Sequence, residues 1–400
     1  MTMKRNIFTR RKFFAFLGLG SLAVAARSFT MKLFGKYPLS GDYTAVNQTQ
    51  AKPATNIGDA AKVPRTASSM PGKFPGKVIH LKSSKAIINN EIVEKEAYAM
   101  ISKGMLELTG EKNLNKAWRT FVNPGEKIGL KVNPVAGKDL ATSHAVVKSV
   151  IKQLTSSGIK KEDIIIWDRR EMQLWECGFT PENYPGIKIT GTEQQDKKGS
   201  YYDADGKLYG EKMIDRDWFY YAETEQEYDA ETIPFMVNTG KYSYFSKIVT
   251  QELDKIINIP VLKNAGGSIT NAMKNLAFGA VSNTGRLHAK LWNDTCAEVC
   301  AFAPLRDKVV LNICDALKGC FNGGPGANPQ FFCNYNSILV ATDPVALDRI
   351  AYDIVAEKRI EEGLQKALTP QVLTFLAMAA DLKLGVSDKE RIDLNVIDLG

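Results

Sequence analysis

The stretch from Ile259 to Gly279, IPVLKNAGGSITNAMKNLAFG, joins an apolar run to a segment with helical spacing. It predicts a strand over Ile256 to Leu262, a turn of small residues, and a helix from Ser268 to Phe278. Backbone N–H groups at the start of such a helix, with Lys263 beside them, favour a phosphate or a carboxylate. The Gly-Lys-Ser/Thr order of a Walker loop and the three-glycine spacing of a dinucleotide site are both absent.

The same alternation extends in both directions along the chain. Upstream, strands are predicted at KVIHL and DIIIWD, with a helix after Ser143 that Gly158 ends. Downstream, helices are expected near Trp292 to Phe302 and in PVALDRIAYDIVAEKR, strands in KVVLNICD and SILVA, and a last helix near Gln371 to Ala380. Fully apolar strands connected by helices predict an α/β fold, a mostly parallel sheet with helices on both faces.

Two segments depart from this alternation. Residues about 170–245 are rich in aromatic and charged residues and are expected to form an insertion, with a hairpin that turns at Asp205 and Gly206. DADG resembles half of a calcium loop, but the other ligand positions of that loop are missing. Residues 27–75 are poor in large aliphatic side chains and are typical of a flexible linker, so the α/β domain is expected over 76–400.

Charge and composition restrict the class of partner. The chain has 400 residues, 44% hydrophobic and 24% charged, and a formal net charge of +8. Five of the basic residues lie among the first 25, which hold no acid, so the remainder is close to neutral. No basic-aromatic motif remains, and we expect no nucleic-acid partner.

The N-terminus has the pattern of an export signal. A basic head precedes the apolar segment FFAFLGLGSLAVA, and Arg10 and Arg11 in TRRKFFA match a twin-arginine signal. A signal peptide over 1–26 predicts transport by the twin-arginine translocase to the periplasm or another extracytoplasmic space. The alternative is an uncleaved membrane anchor, which would be the only membrane contact. Replacing both arginines by lysine is expected to trap the protein in the cytoplasm, and unchanged export would refute the signal.

Polar residues follow several of the predicted strands. Because ligands of parallel sheets bind at the carboxyl ends of strands, these residues are expected to share one crevice. We expect an anionic ligand to be held by the following residues: Lys131, Asn133, His144, Lys263, Gly266, Gly267, Ser268, Lys274, Asn275 and Arg286. His288 and Asp343 are the acid-base candidates, and Asp168, Arg169 and Asp315 lie at further strand ends.

Other interpretations of these residues stay open. Lys263 can be an exposed lysine at a strand end, and Lys274 can extend its amine past apolar neighbours to solvent. His80 lies within a strand and has the position of a structural residue.

Five of the six cysteines fall between Cys296 and Cys333. Cys296 and Cys300 are one helical turn apart, so their thiolates can ligate one ion, although a disulfide between them would be strained. Buried free thiols, disulfides in an oxidising compartment, and a metal or cluster site all remain open; the metal candidates are Cys296, Cys300, Cys314 and Cys320.

Several blocks carry a resemblance to a known family. In chain order they are GEKIGLKVNP, ATSHAVVKSVIKQL, IINIPVLKN, ITNAMKNLAFG, RLHAK and ATDPVALDRIA. From about Val78 to the C-terminus, the sequence resembles the domain of unknown function 362 family of bacteria and archaea. The resemblance implies an α/β fold and a shared site of unnamed function. Some members carry ferredoxin-like iron–sulfur modules, but this chain lacks the ferredoxin cysteine spacing. Many members have a histidine where this chain has Asn264.

Three functions therefore stay open from the sequence. The favoured hypothesis is an exported α/β protein that binds, and in one version transforms, a small anionic ligand at the strand ends. The second is a redox protein with a metal or iron–sulfur cofactor at the cysteines. The third is a binding module without catalysis.

Overall fold

A computed structural model describes residues 52–265, 268–365 and 373–400. The N-terminal signal, Gly266 and Gly267 lie outside these described residues. Within the described ranges, no helix combines the length and the apolar character that a membrane span requires.

The strands, in chain order, are β1 (Lys77–Lys82), β2 (Ile87–Ile88), β3 (Glu91–Ile92), β4 (Ile128–Lys131), β5 (Ile164–Arg170), β6 (Lys188–Glu193), β7 (Ile214–Tyr221), β8 (Tyr242–Ser246), β9 (Lys255–Asn258), β10 (Val261–Ala265), β11 (Ser268–Thr270), β12 (Val309–Cys320), β13 (Phe332–Ala341) and β14 (Asp393–Asp398).

The α-helices are α1 (Ile57–Lys62), α2 (Glu94–Thr109), α3 (Leu114–Arg119), α4 (His144–Ser156), α5 (Glu171–Glu176), α6 (Ile233–Met236), α7 (Ala272–Ala280), α8 (Leu287–Lys290), α9 (Trp292–Ala301), α10 (Ala303–Arg306), α11 (Pro344–Glu361) and α12 (Thr374–Asp381).

Ten of the described strands form one sheet in the order β14-β1-β13-β12-β9-β4-β5-β6, with β10 and β11 joined beside β12. Neighbouring strands are parallel except for the pairs that β13 makes with β1 and β12, and for the β10–β11 hairpin. The predicted α/β fold with a mostly parallel sheet is confirmed.

Apolar helices cover both faces because successive strand residues point to opposite sides. In β5, Ile164 and Ile166 pack into a core with α2 and α4, whereas Ile165 and Trp167 pack into a second core with α7, α9 and α11. A strand buried on both faces needs such a continuous apolar run.

The structure divides the stretch that the sequence predicts as strand Ile256 to Leu262. β9 and β10 are separate strands, because Pro260 lies between them and has no N–H to donate to a ladder. β10 then turns back as a hairpin onto β11, with Lys263 opposite Thr270.

The insertion is shorter than the sequence predicts. β6, within the expected insertion, pairs in parallel with β5 and is the edge of the main sheet. The aromatic part forms a separate two-stranded sheet of β7 and β8. Asp205 and Gly206 do lie in a turn, closed by a bridge between Tyr202 and Leu208.

Residues 52–75 pack against the body, contrary to the expected flexible linker. Met70 is fully buried, and Thr55 both bridges to Ala222 and donates to Glu298 at 2.6 Å. Residues 27–51 of the predicted linker lie outside the described residues.

Candidate functional site

A buried polar cluster lies where β4, β5 and β10 end. We call Lys131, Lys263 and Lys274, with Asn133 and Asn275, the lysine cluster. Lys131 and Lys263 are fully buried, and both asparagines are at most 6% exposed. The structure thus brings together five of the residues that the sequence predicts for ligand binding.

Lys131 is the best-partnered amine of the cluster. Its Nζ forms an ion pair with Asp168 and donates to the Val132 carbonyl at 2.9 Å and to Asn275 Oδ1 at 3.0 Å. Burial lowers the pKa of Lys131, while Asp168 raises it. The ion pair with Asp168 offsets part of the cost of burying this amine at the end of β4.

Gly279 leaves the space that Lys131 occupies. A Cβ added at Gly279 would lie 2.3 Å from Lys131 Cε, 2.7 Å from Nζ and 3.3 Å from Asp168 Oδ1. Any other residue at this position of α7 would force the end of the Lys131 side chain to shift.

Lys263 has a neutral partner. Its Nζ donates to Asn133 Oδ1 at 2.6 Å, and no carboxylate of the described residues lies within 4.0 Å of it. Burial, and then repulsion by Lys274, lower the pKa of Lys263 to about 7. The alternative of an exposed lysine at the strand end is wrong, because this side chain is fully buried.

Asparagines connect the two buried lysines. Asn275 Oδ1 accepts from Lys131 and from Asn133 Nδ2 at 2.9 Å, and Asn275 Nδ2 donates to Asn258 Oδ1 at 2.8 Å. Asn258 Nδ2 continues to Asn312 Oδ1 at 3.0 Å. The sequence analysis missed Asn258 and Asn312. The signal was a single asparagine inside each of two apolar strands, since a buried amide needs partners.

Lys274 lies on α7 with its amine 5.4 Å from the centre of the Phe278 ring. Burial lowers its pKa to about 8, with a further contribution from Arg169. His288 also packs against Phe278, with the two ring centres 4.6 Å apart. Its Nδ1 donates to the Thr284 carbonyl at 2.9 Å. Burial and Lys274 lower the pKa of His288 to about 3, so the ring is neutral.

Two arginines beside the cluster share one carboxylate, a feature that the sequence analysis did not predict. The Nε atoms of Arg169 and Arg170 each lie 3.0 Å from an oxygen of Glu193, the buried end of β6. Burial raises the pKa of Glu193 to about 7, although both arginines lower it.

The structure does not bring Asp343 into the lysine cluster. Its carboxylate caps α11 by accepting from Val345 and Ala346, and it also accepts from Gly76 and Val386. Burial raises the pKa of Asp343 to about 6. With His288 beside Phe278, the predicted acid-base pair shares no described contact.

Three other predicted residues have partners in the scaffold. His144 lies between Tyr184 and the Cys177 carbonyl, at 2.5 and 3.0 Å. Arg286 donates to the carbonyls of Ala222 and Thr224 and so anchors the strands of the insertion. Asp315 accepts from the Ser143 N–H at 2.7 Å and fixes the start of α4.

Ser268 does not begin a helix, which corrects the sequence prediction. It belongs to β11, and α7 begins four residues later at Ala272. The first N–H groups of α7, on Ala272 and Met273, are occupied by Asp348 at 2.8 and 3.0 Å. An anion at this helix start would meet a carboxylate. Any support for a ligand therefore comes from side chains.

All six cysteines are unbridged, and five are buried. Burial raises the pKa of Cys300 and places those of Cys296 and Cys314 well above the ordinary value. Among the described residues, no group of three or more His, Cys, Asp or Glu side chains is arranged to hold a metal ion. The thiols therefore have the environment of buried, protonated groups.

Comparison with known proteins covers part of this region. Residues 220–353 match the model of the Domain of unknown function (DUF362), which supports the resemblance for about a third of the chain, including β10 and α7. No curated protein matches the sequence. A crystal structure of a protein from Thermotoga maritima is similar with 9% identity and a TM-score of 0.36, covering 68% of this chain. This chain spans about 60% of that protein's length.

Proposed function

We propose that the lysine cluster binds a small anionic ligand at the carboxyl ends of β4, β5 and β10. The observation that carries the proposal is a fully buried lysine, Lys263, and a partly buried one, Lys274, whose amines have no carboxylate partner among the described residues. Lys131 forms an ion pair with Asp168, and Arg169 and Arg170 beside the cluster form ion pairs with Glu193, whereas no ion pair among the described residues includes Lys263 or Lys274.

Buried charges are costly unless they are paired. No carboxylate of the described residues lies within 4.0 Å of the Nζ atom of Lys263 or of Lys274. Their lowered pKa values reflect the same cost. A bound anion would offset the repulsion between the amines, and this supports an anionic ligand over a neutral one.

The members of the cluster would have different roles. Lys131 keeps its charge through Asp168 and would attract the anion, whereas Lys263 and Lys274 would contact it directly. Asn133 and Asn275 would fix the direction of the amines, since their oxygens accept from Lys263 and Lys131. Export of this protein by the twin-arginine route stays a separate prediction.

Titration with inorganic phosphate by isothermal calorimetry tests the proposal. A charge-assisted contact contributes about 1.5–3 kcal/mol, so Lys263→Met or Lys274→Met is expected to weaken binding by about ten- to a hundredfold.

Lys95→Met is the matched control, because Lys95 lies in an exposed groove with Glu94, Tyr98 and Lys152 that shares no residue with the cluster. Its affinity should equal that of the unchanged protein. Equal affinities in all three variants, or no binding of phosphate, sulfate or acetate by the unchanged protein, would refute the proposal.

A further inference from the structure

Lys131 and Lys263 differ in what surrounds their amines. Lys131 has the Asp168 carboxylate and two further oxygen acceptors, which favour an ammonium ion. The described partner of Lys263 is one amide oxygen, on Asn133. Burial without a carboxylate partner disfavours the ammonium form of an amine, and the neutral form that remains has the lone pair of a nucleophile.

The groups that act electrostatically on Lys263 come from several elements. Burial, and after it Lys274 on α7, oppose its protonation, while Cys320, Cys177 and Asp168 each favour it to a smaller degree. Burial raises the pKa of Cys320, so that thiol is neutral near pH 7. Asp315 also interacts with Lys263, but its carboxylate is engaged by Ser143.

A second polar group lies beside the amine. Thr270 is opposite Lys263 in the β10–β11 hairpin, and opposed residues of a hairpin project from the same face. Thr270 is 2% exposed, and its Oγ1 has no hydrogen-bond partner among the described residues. Buried hydroxyls are normally hydrogen-bonded, so this one marks a place where the hydroxyl could donate to a ligand oxygen.

Two glycines allow the backbone of neighbouring segments to lie directly against β10. A Cβ at Gly324 would lie 1.9 Å from the Asn264 carbonyl oxygen and 3.8 Å from Lys263 Cβ, and a Cβ at Gly319 would lie 2.6 Å from the Leu262 carbonyl oxygen. The end of β12 and the loop after it therefore place backbone, without a charged side chain, next to Lys263.

We infer that Lys263 is a nucleophile that forms an imine with a small anion carrying an aldehyde or ketone, the class of the 2-oxo carboxylates. The inference rests on the proposed anion-binding function. Lys274 would contact the carboxylate and Lys131 would attract it, and the carbonyl would face the Lys263 amine and the Thr270 hydroxyl.

The chemistry needs no external oxidant or reductant. The lone pair of Nζ attacks the carbonyl carbon, the C–N bond forms as the C=O π bond breaks, and one proton passes from nitrogen to the oxygen to give a neutral carbinolamine. A second proton, from the ammonium of Lys274, allows that oxygen to leave as water. The nitrogen keeps its remaining proton, and the product is a protonated imine. The ammonium form of Lys274 is the proton donor in the cluster, because burial brings its pKa to about 8.

Reductive trapping tests the inference. The full-length protein is incubated with glyoxylate and cyanoborohydride at pH 7, and carboxymethylated lysines are located by peptide mass spectrometry. An exposed lysine is almost wholly protonated at this pH, so Lys263 is expected to be labelled at least about tenfold more than exposed Lys112. Inorganic phosphate should suppress the label at Lys263 and leave that at Lys112 unchanged.

The outcomes separate the two proposals. Phosphate binding by calorimetry, together with Lys263 labelling no greater than that of Lys112, overturns the imine and leaves the anion site intact. Lys263 labelling that phosphate does not suppress supports the nucleophile and refutes the shared anion site. Lys274→Met, which keeps Lys263, should reduce the labelling rate because it removes the proton donor; an unchanged rate would refute that role.

Discussion

Buried charge is treated in opposite ways in two regions of the molecule. At the helix starts, Asp315, Asp343 and Asp348 are buried, and each accepts from at least two backbone N–H groups. In the lysine cluster, Lys263 donates to one neutral amide, and Lys274 lies against a ring. The first region follows the usual rule that buried polar groups are satisfied, and the second departs from it.

The difference assigns the two regions separate roles. A carboxylate that accepts several backbone N–H bonds stabilises the fold, and these hydrogen bonds account for its role. Amines that stay near one another without carboxylates cost stability, which a protein usually tolerates at a functional site. Three sets of variants test whether the two regions differ in this way.

The largest expected effect is in the pH dependence that Lys263 imposes. Its folded pKa of about 7 lies below that of an unfolded lysine, so the cost of burying its charge is fully present below pH 7. As the pH rises toward about 10, the folded amine is already neutral while the unfolded one binds a proton, and stability increases. The free energy of unfolding is expected to gain on the order of 4 kcal/mol across this window.

Lys263→Met keeps a long side chain but removes the amine, so its unfolding free energy should not show this gain as the pH rises. Urea unfolding of both proteins from pH 6 to pH 10 measures the difference, which should favour the variant most at low pH. Parallel pH profiles would mean that Lys263 is stabilised as a cation, and the contrast with Asp343 would disappear.

A smaller loss is expected at Asp343. Asp343→Ala leaves the N–H groups of Gly76, Val345, Ala346 and Val386 without their acceptor, and should lower the free energy of unfolding by about 3 kcal/mol. Asp343→Asn keeps one accepting oxygen and should lose less. Equal stability of the alanine variant and the unchanged protein would show that the cap is not structural.

The smallest expected effect is at Gly279. In Gly279→Ala the new methyl overlaps Lys131 and forces it away from Asp168, at a cost of about 1–3 kcal/mol in unfolding free energy. Phosphate binding should weaken as well. Gly58→Ala on α1 is the control, since nothing lies within 4 Å of a Cβ there, and it should be neutral or stabilising. A fully stable Gly279→Ala would show that Lys131 can reposition freely.

The strand ends were predictable because apolar runs end at Lys131, Asp168 and Lys263, and parallel strands bring such ends together. The burial of Lys263 was not predictable, because it depends on the loop after β12 and on β11. β11 is only three residues long, Ser268–Thr270, and it comes just before a true helical segment, so periodicity assigned Ser268 to the helix. The cap at Asp348 was also hidden, because its partners are 76 and 75 residues away.

Four asparagines between the two regions form a chain of hydrogen bonds in which every amide donates in the same direction. Asn133 donates to Asn275, Asn275 to Asn258, and Asn258 to Asn312, which donates to the Thr342 carbonyl at 3.2 Å. Reversing one amide would set oxygen against oxygen or N–H against N–H, so this chain of hydrogen bonds holds one polarity as a unit. A carbonyl can only accept, and Thr342 thereby fixes which way every amide points. The oxygens that face the lysines are thus oriented from the residue that precedes the α11 cap.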